Sequence, residues 1–196
     1  PEPYFRQNLL LSKDLSIFYG DRCVANGISL TLNRGDRIAL VGRNGCGKSS
    51  LLKLLIGQPI AHTGTLEIGS RLTVSYVPQD MSFLSGSADD FAAESEIDIT
   101  LFKTILRKLD FKRTQFTKDM SEFSMGQKKK VLLARSLCQR ANLYIWDEPL
   151  NYIDVISRLQ IETLILEYKP TMLFVEHDEA FVNDIATKVC RISLSQ

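Results

Sequence analysis

The sequence predicts an α/β fold organised around a phosphate-binding loop, and three observations predict it. Gly42-Arg43-Asn44-Gly45-Cys46-Gly47-Lys48-Ser49 reads G-x-x-x-x-G-K-S, a pattern whose backbone N–H groups cradle phosphate oxygens. Its flanks agree: Arg37-Ile38-Ala39-Leu40-Val41 is a short apolar run of buried-strand type, and residues 50–56 carry good helix formers up to Gly57. Two later apolar runs, Leu143-Tyr144-Ile145-Trp146 and Thr171-Met172-Leu173-Phe174-Val175, have strand length and end in ionisable groups.

The loop needs these residue types. Glycine lets the backbone wrap closely around an anion, and the helix that follows presents its positive dipole end to the same charge. The expected nucleotide-binding set is Gly42, Asn44, Gly45, Cys46, Gly47, Lys48, Ser49 and Ser50. Lys48 would neutralise the β- and γ-phosphates of ATP, and the Ser49 hydroxyl would hold Mg²⁺. Cys46 reads as a small side chain whose backbone N–H is what matters.

The rest of the composition narrows the class. The 196 residues suit one α/β domain, and a hydrophobic fraction of 44% supplies a core, which excludes a disordered chain. A net charge of +1 argues against a strongly electrostatic nucleic-acid binder while leaving room for a local basic face. Cys23, Cys46, Cys138 and Cys190 are far apart and form no metal-ligand pattern, as expected of thiols in a reducing cytoplasm. No stretch is long and apolar enough to span a bilayer. The chain starts at Pro1 rather than Met, and the expectation is a fragment cut from something longer.

In chain order, residues 4–35 read as β, with strand-like runs at 9–11, 15–19 and 28–32 separated by turns at Asp21-Arg22 and Asn33-Arg34-Gly35. Tyr19, at a strand end upstream of the loop, could stack on an adenine base or be a buried or edge aromatic. Residues 64–78 read as a second β pair, and Gln79 follows it directly. A Gln side chain offers an acceptor and two donors, so it could touch Mg²⁺ or an attacking water. Residues 82–99 read as loop or weak helix and residues 100–111 as helix, which makes 82–122 a small helical lobe. Ser124-Met125-Gly126-Gln127 opens a helix through Cys138, with Val131, Ala134 and Cys138 on one face. Lys128, Lys129 and Lys130 crowd its start, either solvated or meeting an anion. The strand 143–146 ends in Asp147-Glu148-Pro149; Asp147 suits the Mg²⁺ shell and Glu148 a water-positioning or general-base role. Asp154 is a candidate N-cap for a helix over 155–168. The strand over 171–175 delivers Glu176-His177-Asp178 to the end of the sheet where α/β folds bind ligands, followed by a short helix at 179–186 and a last strand at 189–192.

This order of motifs resembles the ATPase domain of the ABC superfamily across nearly the whole chain: phosphate loop, Gln79, Ser-x-Gly-Gln, apolar strand with Asp-Glu-Pro, Asp154, His177. The resemblance implies a P-loop NTPase core with an antiparallel β subdomain and a small helical subdomain, residues 1–196 being one nucleotide-binding domain with 82–122 as the reduced helical part. It implies ATP and Mg²⁺ as cofactors and ATP hydrolysis as the activity. Ser124, Gly126 and Gln127 become the signature loop that meets nucleotide, Asp154 the D-loop acid, Tyr19 the aromatic stacker, Gln79 and Asp147 metal-facing groups beside Ser49, and Gln79, Glu148 and His177 the catalytic set. One departure is Met125, where the family has Gly; Met takes a positive φ only at a cost, so the signature could sit differently, and a nucleotide-gated binding module with little catalysis becomes conceivable.

Within the superfamily, Glu148-Pro149-Leu150-Asn151-Tyr152-Ile153-Asp154 and Gly126-Gln127-Lys128-Lys129-Lys130 look like the C-terminal ATPase domain of ABC-F proteins of the ribosome-protecting, antibiotic-resistance kind. That likeness implies a second ATPase domain as partner, in the same chain or as a homodimer, closing head to tail over two ATP, and the ribosome and its rRNA as the target of the full-length cytoplasmic protein. The alternative is the ATPase subunit of an ABC transporter, working with a permease.

Overall fold

The computed structural model describes residues 8–193, so residues 4–7 of the expected β region lie outside the described residues. Residues cluster into two compact units. Of the described residues, the first comprises 8–76, 141–147 and 169–193, and the second 77–140 and 148–168.

The first unit carries two sheets. Strands β1 (Asn8–Tyr19), β2 (Arg22–Asn33) and β4 (Ala61–Ile68) form an antiparallel sheet in the order β2-β1-β4. The runs expected at 9–11 and 15–19 are one strand, bent where the register shifts between Ser12 and Leu15 at Asp14, whose φ is +47°. The second sheet has the order β5-β6-β7-β3-β8. Its members are β3 (Arg37–Val41), β5 (Val74–Val77), β6 (Leu143–Asp147), β7 (Met172–Val175) and β8 (Lys188–Arg191). β3 pairs in parallel with β7 and β8, and β6 with β7. β7 is buried at every position, the signature of a parallel strand covered on both faces.

The expected β pair within 64–78 is corrected here. β4 joins β1, β5 joins β6, and the two strands lie in different sheets. Their sequences could not show this: each is a short run whose partner is far along the chain. Helix α1 (Lys48–Leu55) follows the phosphate loop, and α6 (Glu179–Ile185) follows β7. Leu51, Leu52 and Leu55 of α1 share one core cluster with Leu15, Ile17 and Leu32 of the antiparallel sheet and Ile38, Leu40, Ile145 and Leu173 of the parallel one. Periodicity of 3.6 on the helix and near-continuous apolar strands bury together, which fixes where the loop between β3 and α1 emerges.

The second unit is helical. It holds α2 (Ala88–Glu94), α3 (Ile99–Lys108), α4 (Met125–Cys138) and α5 (Val155–Tyr168), with single tighter turns at 113–115 and 120–122. Ser87, Asp98 and Ser124 cap α2, α3 and α4 through their side chains. Phe102 and Leu106 of α3 and Val131 and Leu132 of α4 are fully buried, and Phe111 packs edge-on against Phe123.

Candidate functional site

The loop after β3 is pre-shaped. Lys48 donates from Nζ to the carbonyls of Gly42 and Arg43, at 2.9 and 3.0 Å, so its ammonium lies inside the ring of backbone that the motif describes. Only 6% of Lys48 is exposed, and Cys46 is buried at 1%. Gly47 has φ +86°, and a Cβ there would meet the Ala25 side chain and the Val24 carbonyl at 2.6 Å. The loop thus presses against β2, and only glycine serves at 47.

Asp147 ends β6 and is 1% exposed. The Tyr76 phenol is pushed up to about 12, first by burial and then by the negative charge of Asp147. The Ser49 hydroxyl and the Asp147 carboxylate are hard oxygen donors, the type Mg²⁺ takes in small number beside substrate phosphates. Among the described residues no cluster of three His, Cys, Asp or Glu forms a metal cage. The cradle and its ammonium therefore fit the phosphates of a nucleotide, and Ser49 and Asp147 are of the donor type that its magnesium takes.

Two further expected residues belong to the same unit. Tyr19 ends β1 and is 48% exposed. His177 is exposed at the end of β7, its backbone N–H held by Glu176 Oε1 at 2.8 Å, in a shallow recess with Val41, Val182 and Arg191.

The second unit holds the remaining residues. Gln79 Nε2 donates to Glu148 Oε2 at 2.9 Å, and Asn151 Nδ2 donates to the same oxygen. Glu148 has φ +50°, a left-handed conformation that non-glycine residues keep only where their surroundings impose it. Ser124 and Gln127 are joined in a reciprocal capping box: Gln127 N–H donates to Ser124 Oγ at 3.3 Å, and Ser124 N–H donates to Gln127 Oε1 at 2.9 Å. Met125 is the first residue of α4, is 46% exposed and is not among the positive-φ residues, so no glycine is required there. Gly126 is the demanding position. A Cβ on it would meet the Tyr152 carbonyl at 2.6 Å.

Asp154 receives the Ser157 N–H at 2.9 Å, as an N-cap does, and pairs with Lys130 at 2.6 Å. Burial opposes ionisation of this carboxyl, but the Lys130 ammonium and the two bonds from Ser157 hold it well below the usual carboxylate range. The lysine run is corrected by this. Lys129 and Lys130 are not solvated but buried, at 1% and 8% exposure, and of the two Lys130 meets an anion, the Asp154 carboxylate, while Lys129 donates to the Pro78 carbonyl. Reading one residue at a time missed this and missed Asn151 as a Glu148 partner. The one available signal was the i, i+1 placement of charges beside the buried Val131.

A family model described as ABC transporter matches residues 25–151. The chain belongs to the ABC family of ATPases. It is 36% identical to YdiF of Bacillus subtilis over 95% of its own length and 30% of that protein's. It is 29% identical to ABC transporter F family member 2 of Arabidopsis thaliana, over 95% of its own length and 28% of that one. The chain spans under a third of the length of these relatives. Among solved structures it is similar to one described as RNase-L Inhibitor, with a TM-score of 0.78, 26% identity, 97% of this chain and 38% of that one. An ATP-binding subunit of an ABC transporter shares the fold at a TM-score of 0.80 and 22% identity, covering 95% of this chain and 88% of that one. ABC membership brings ATP binding and hydrolysis with it. No helix of the described residues is long and apolar enough to cross a membrane.

Proposed function

We propose that this domain binds Mg-ATP and hydrolyses it slowly by itself, that it works by head-to-tail closure on a second ATPase domain, and that the full-length protein acts on the ribosome as an ABC-F factor. The pre-shaped loop with Lys48 drawn into it at 2.9 and 3.0 Å carries the reading. Bound Mg-ATP would supply an electrophilic γ-phosphoryl group whose charge the metal screens. The chain's own residues do the rest. Gly42, Asn44, Gly45, Cys46, Gly47, Ser49 and Ser50 offer loop and helix N–H groups to the phosphates, and Lys48 offers an ammonium. Ser49, Asp147 and Gln79 would hold the metal, and Tyr19 would stack on the base. Glu148 would orient water, with Gln79 and His177 as helpers. Ser124, Gly126, Gln127 and Asp154 would meet the nucleotide of the partner domain.

Exposed apolar side chains support a protein partner. Val155, Ile156 and Leu159, just after Asp154, are 72%, 62% and 55% exposed, apolar side chains that a partner domain could cover. The ABC-F assignment is supported by the Leu150-Asn151-Tyr152-Ile153-Asp154 sequence together with the likeness to the Arabidopsis F-family member.

Saturating Mg-ATP at about a hundred times Kd should raise the melting temperature by about 5–10 °C, and Lys48→Ala should lose that shift. Equal protection of both proteins would reject the loop assignment. The full-length protein should co-sediment with ribosomes in an ATP-dependent way. Co-purification with a permease instead would assign the domain to a transporter.

A further inference from the structure

Lys129 is the most deeply buried cation among the described residues, at 1% exposure. Burying an ammonium opposes folding, and an apolar side chain of similar length would fill the same space without that cost. The charged group is therefore best explained by what it holds. Its Nζ donates to the carbonyl of Pro78 at 3.3 Å. Pro78 directly precedes Gln79, whose Nε2 reaches Glu148 Oε2 at 2.9 Å. Glu148 in turn keeps a positive φ of +50° while accepting from Asn151 as well. One residue further along α4, Lys130 grips Asp154 at 2.6 Å. Adjacent lysines of one helix thus hold the Pro78 backbone carbonyl before Gln79 and the Asp154 side chain after Glu148, and the same helix carries Ser124 at its cap.

We propose that Lys129 is a positioning residue for ATP hydrolysis: by anchoring the Pro78 carbonyl it sets the reach of Gln79 and so the orientation of the Glu148 carboxylate. Lys129 touches neither nucleotide nor water in this role. The inference rests on the reading that Glu148 orients the attacking water. It accounts for two features together, a buried lysine at the second turn of the signature helix and a strained glutamate held by an amide. A carbonyl tether acts on geometry rather than on affinity, so its loss should lower turnover and leave nucleotide binding in place.

The test uses the full-length protein with Lys129→Met, which keeps an unbranched chain and removes the donor, and Lys129→Arg, which keeps it. Lys129→Met should lower kcat at least tenfold while Kd for ATP stays within twofold, and Lys129→Arg should recover kcat to within threefold of wild type. Amide hydrogen exchange over residues 77–81 should speed up in Lys129→Met and not in Lys129→Arg. In a Gln79→Ala background Lys129→Met should change kcat less than twofold, since the path it acts through is gone. Wild-type kcat in Lys129→Met, losses of kcat and affinity in step, unchanged exchange, or additive losses in the double variant would each overturn the proposal. If Lys129→Met fails to fold, Lys129→Leu, which also lacks a donor, is read in its place by the same criteria. A wild-type protein that does not hydrolyse ATP would sink the ATPase reading itself, and the exchange measurement would still decide whether Lys129 holds the Gln79 segment.

Discussion

A methyl group at position 47 would meet the Ala25 side chain and the Val24 carbonyl at 2.6 Å, in a backbone at φ +86°. Strain and contact add, so Gly47→Ala should cost at least about 2 kcal/mol and lower Tm by about 5 °C, measurable by calorimetry. An unchanged Tm would mean that the loop relaxes away from β2. Asp154 makes a pH-dependent contribution. Its folded pKa lies below its unfolded value, so its stabilisation is present above the unfolded pKa, about 3.9, and is lost as pH falls through the folded one. The side chain is 46% exposed and therefore partly screened. Asp154→Asn should lower Tm at neutral pH by about 3 °C and flatten its acid limb below pH 4. Acid limbs of equal steepness would show that the Lys130 pair contributes nothing. At this scale the loop residues were legible because their pattern is contiguous. Lys129 and Lys130 were not, because a lysine's burial depends on what lies above it.

Elements differ in how much of themselves they declare. α4 announces its start through Ser124 and Gln127, and the capping box is made. Ser124→Ala should cost about 1 kcal/mol and lower Tm by about 3 °C, and Ser124→Asp should restore most of it. Full stability in Ser124→Ala would show that tertiary packing alone holds the helix end. α5 declares much less. Its apolar residues run round the whole helix, yet only Ile161 and Ile165 are buried, beside Ser157, whose hydroxyl donates to the Leu109 carbonyl at 2.9 Å. Val155, Ile156 and Leu159 stay exposed, and nothing in their residue types sets them apart from the buried pair. β4 and β5 show the same limit, since strand character is local while sheet membership is not.

For the whole molecule the decisive expectation is dependence on a partner. Turnover of the isolated domain should rise at least tenfold when the second ATPase domain is present, because a lone domain leaves one face of the γ-phosphate to water. Glu148→Gln should keep ATP binding, stop hydrolysis and favour the closed pair, visible as a larger species in ATP by light scattering. Turnover that ignores the partner would remove the two-domain mechanism, and unchanged hydrolysis in Glu148→Gln would remove that residue from its role.

By itself the sequence determined the phosphate loop, the strand and helix on either side of it, the acid pair closing β6 and, with these, membership of the ABC ATPases. Each of these is written within a few consecutive residues whose backbone geometry follows from spacing and residue type. Only the tertiary structure decided that Lys129 ends on Pro78 and Lys130 on Asp154, that Gln79 meets Glu148, and that Gly126 must be small beneath the Tyr152 carbonyl. Those contacts join residues 24 to 69 positions apart, Lys130–Asp154 the nearest and Gln79–Glu148 the farthest. No periodicity encodes such a pairing; packing of the helices around one core selects it.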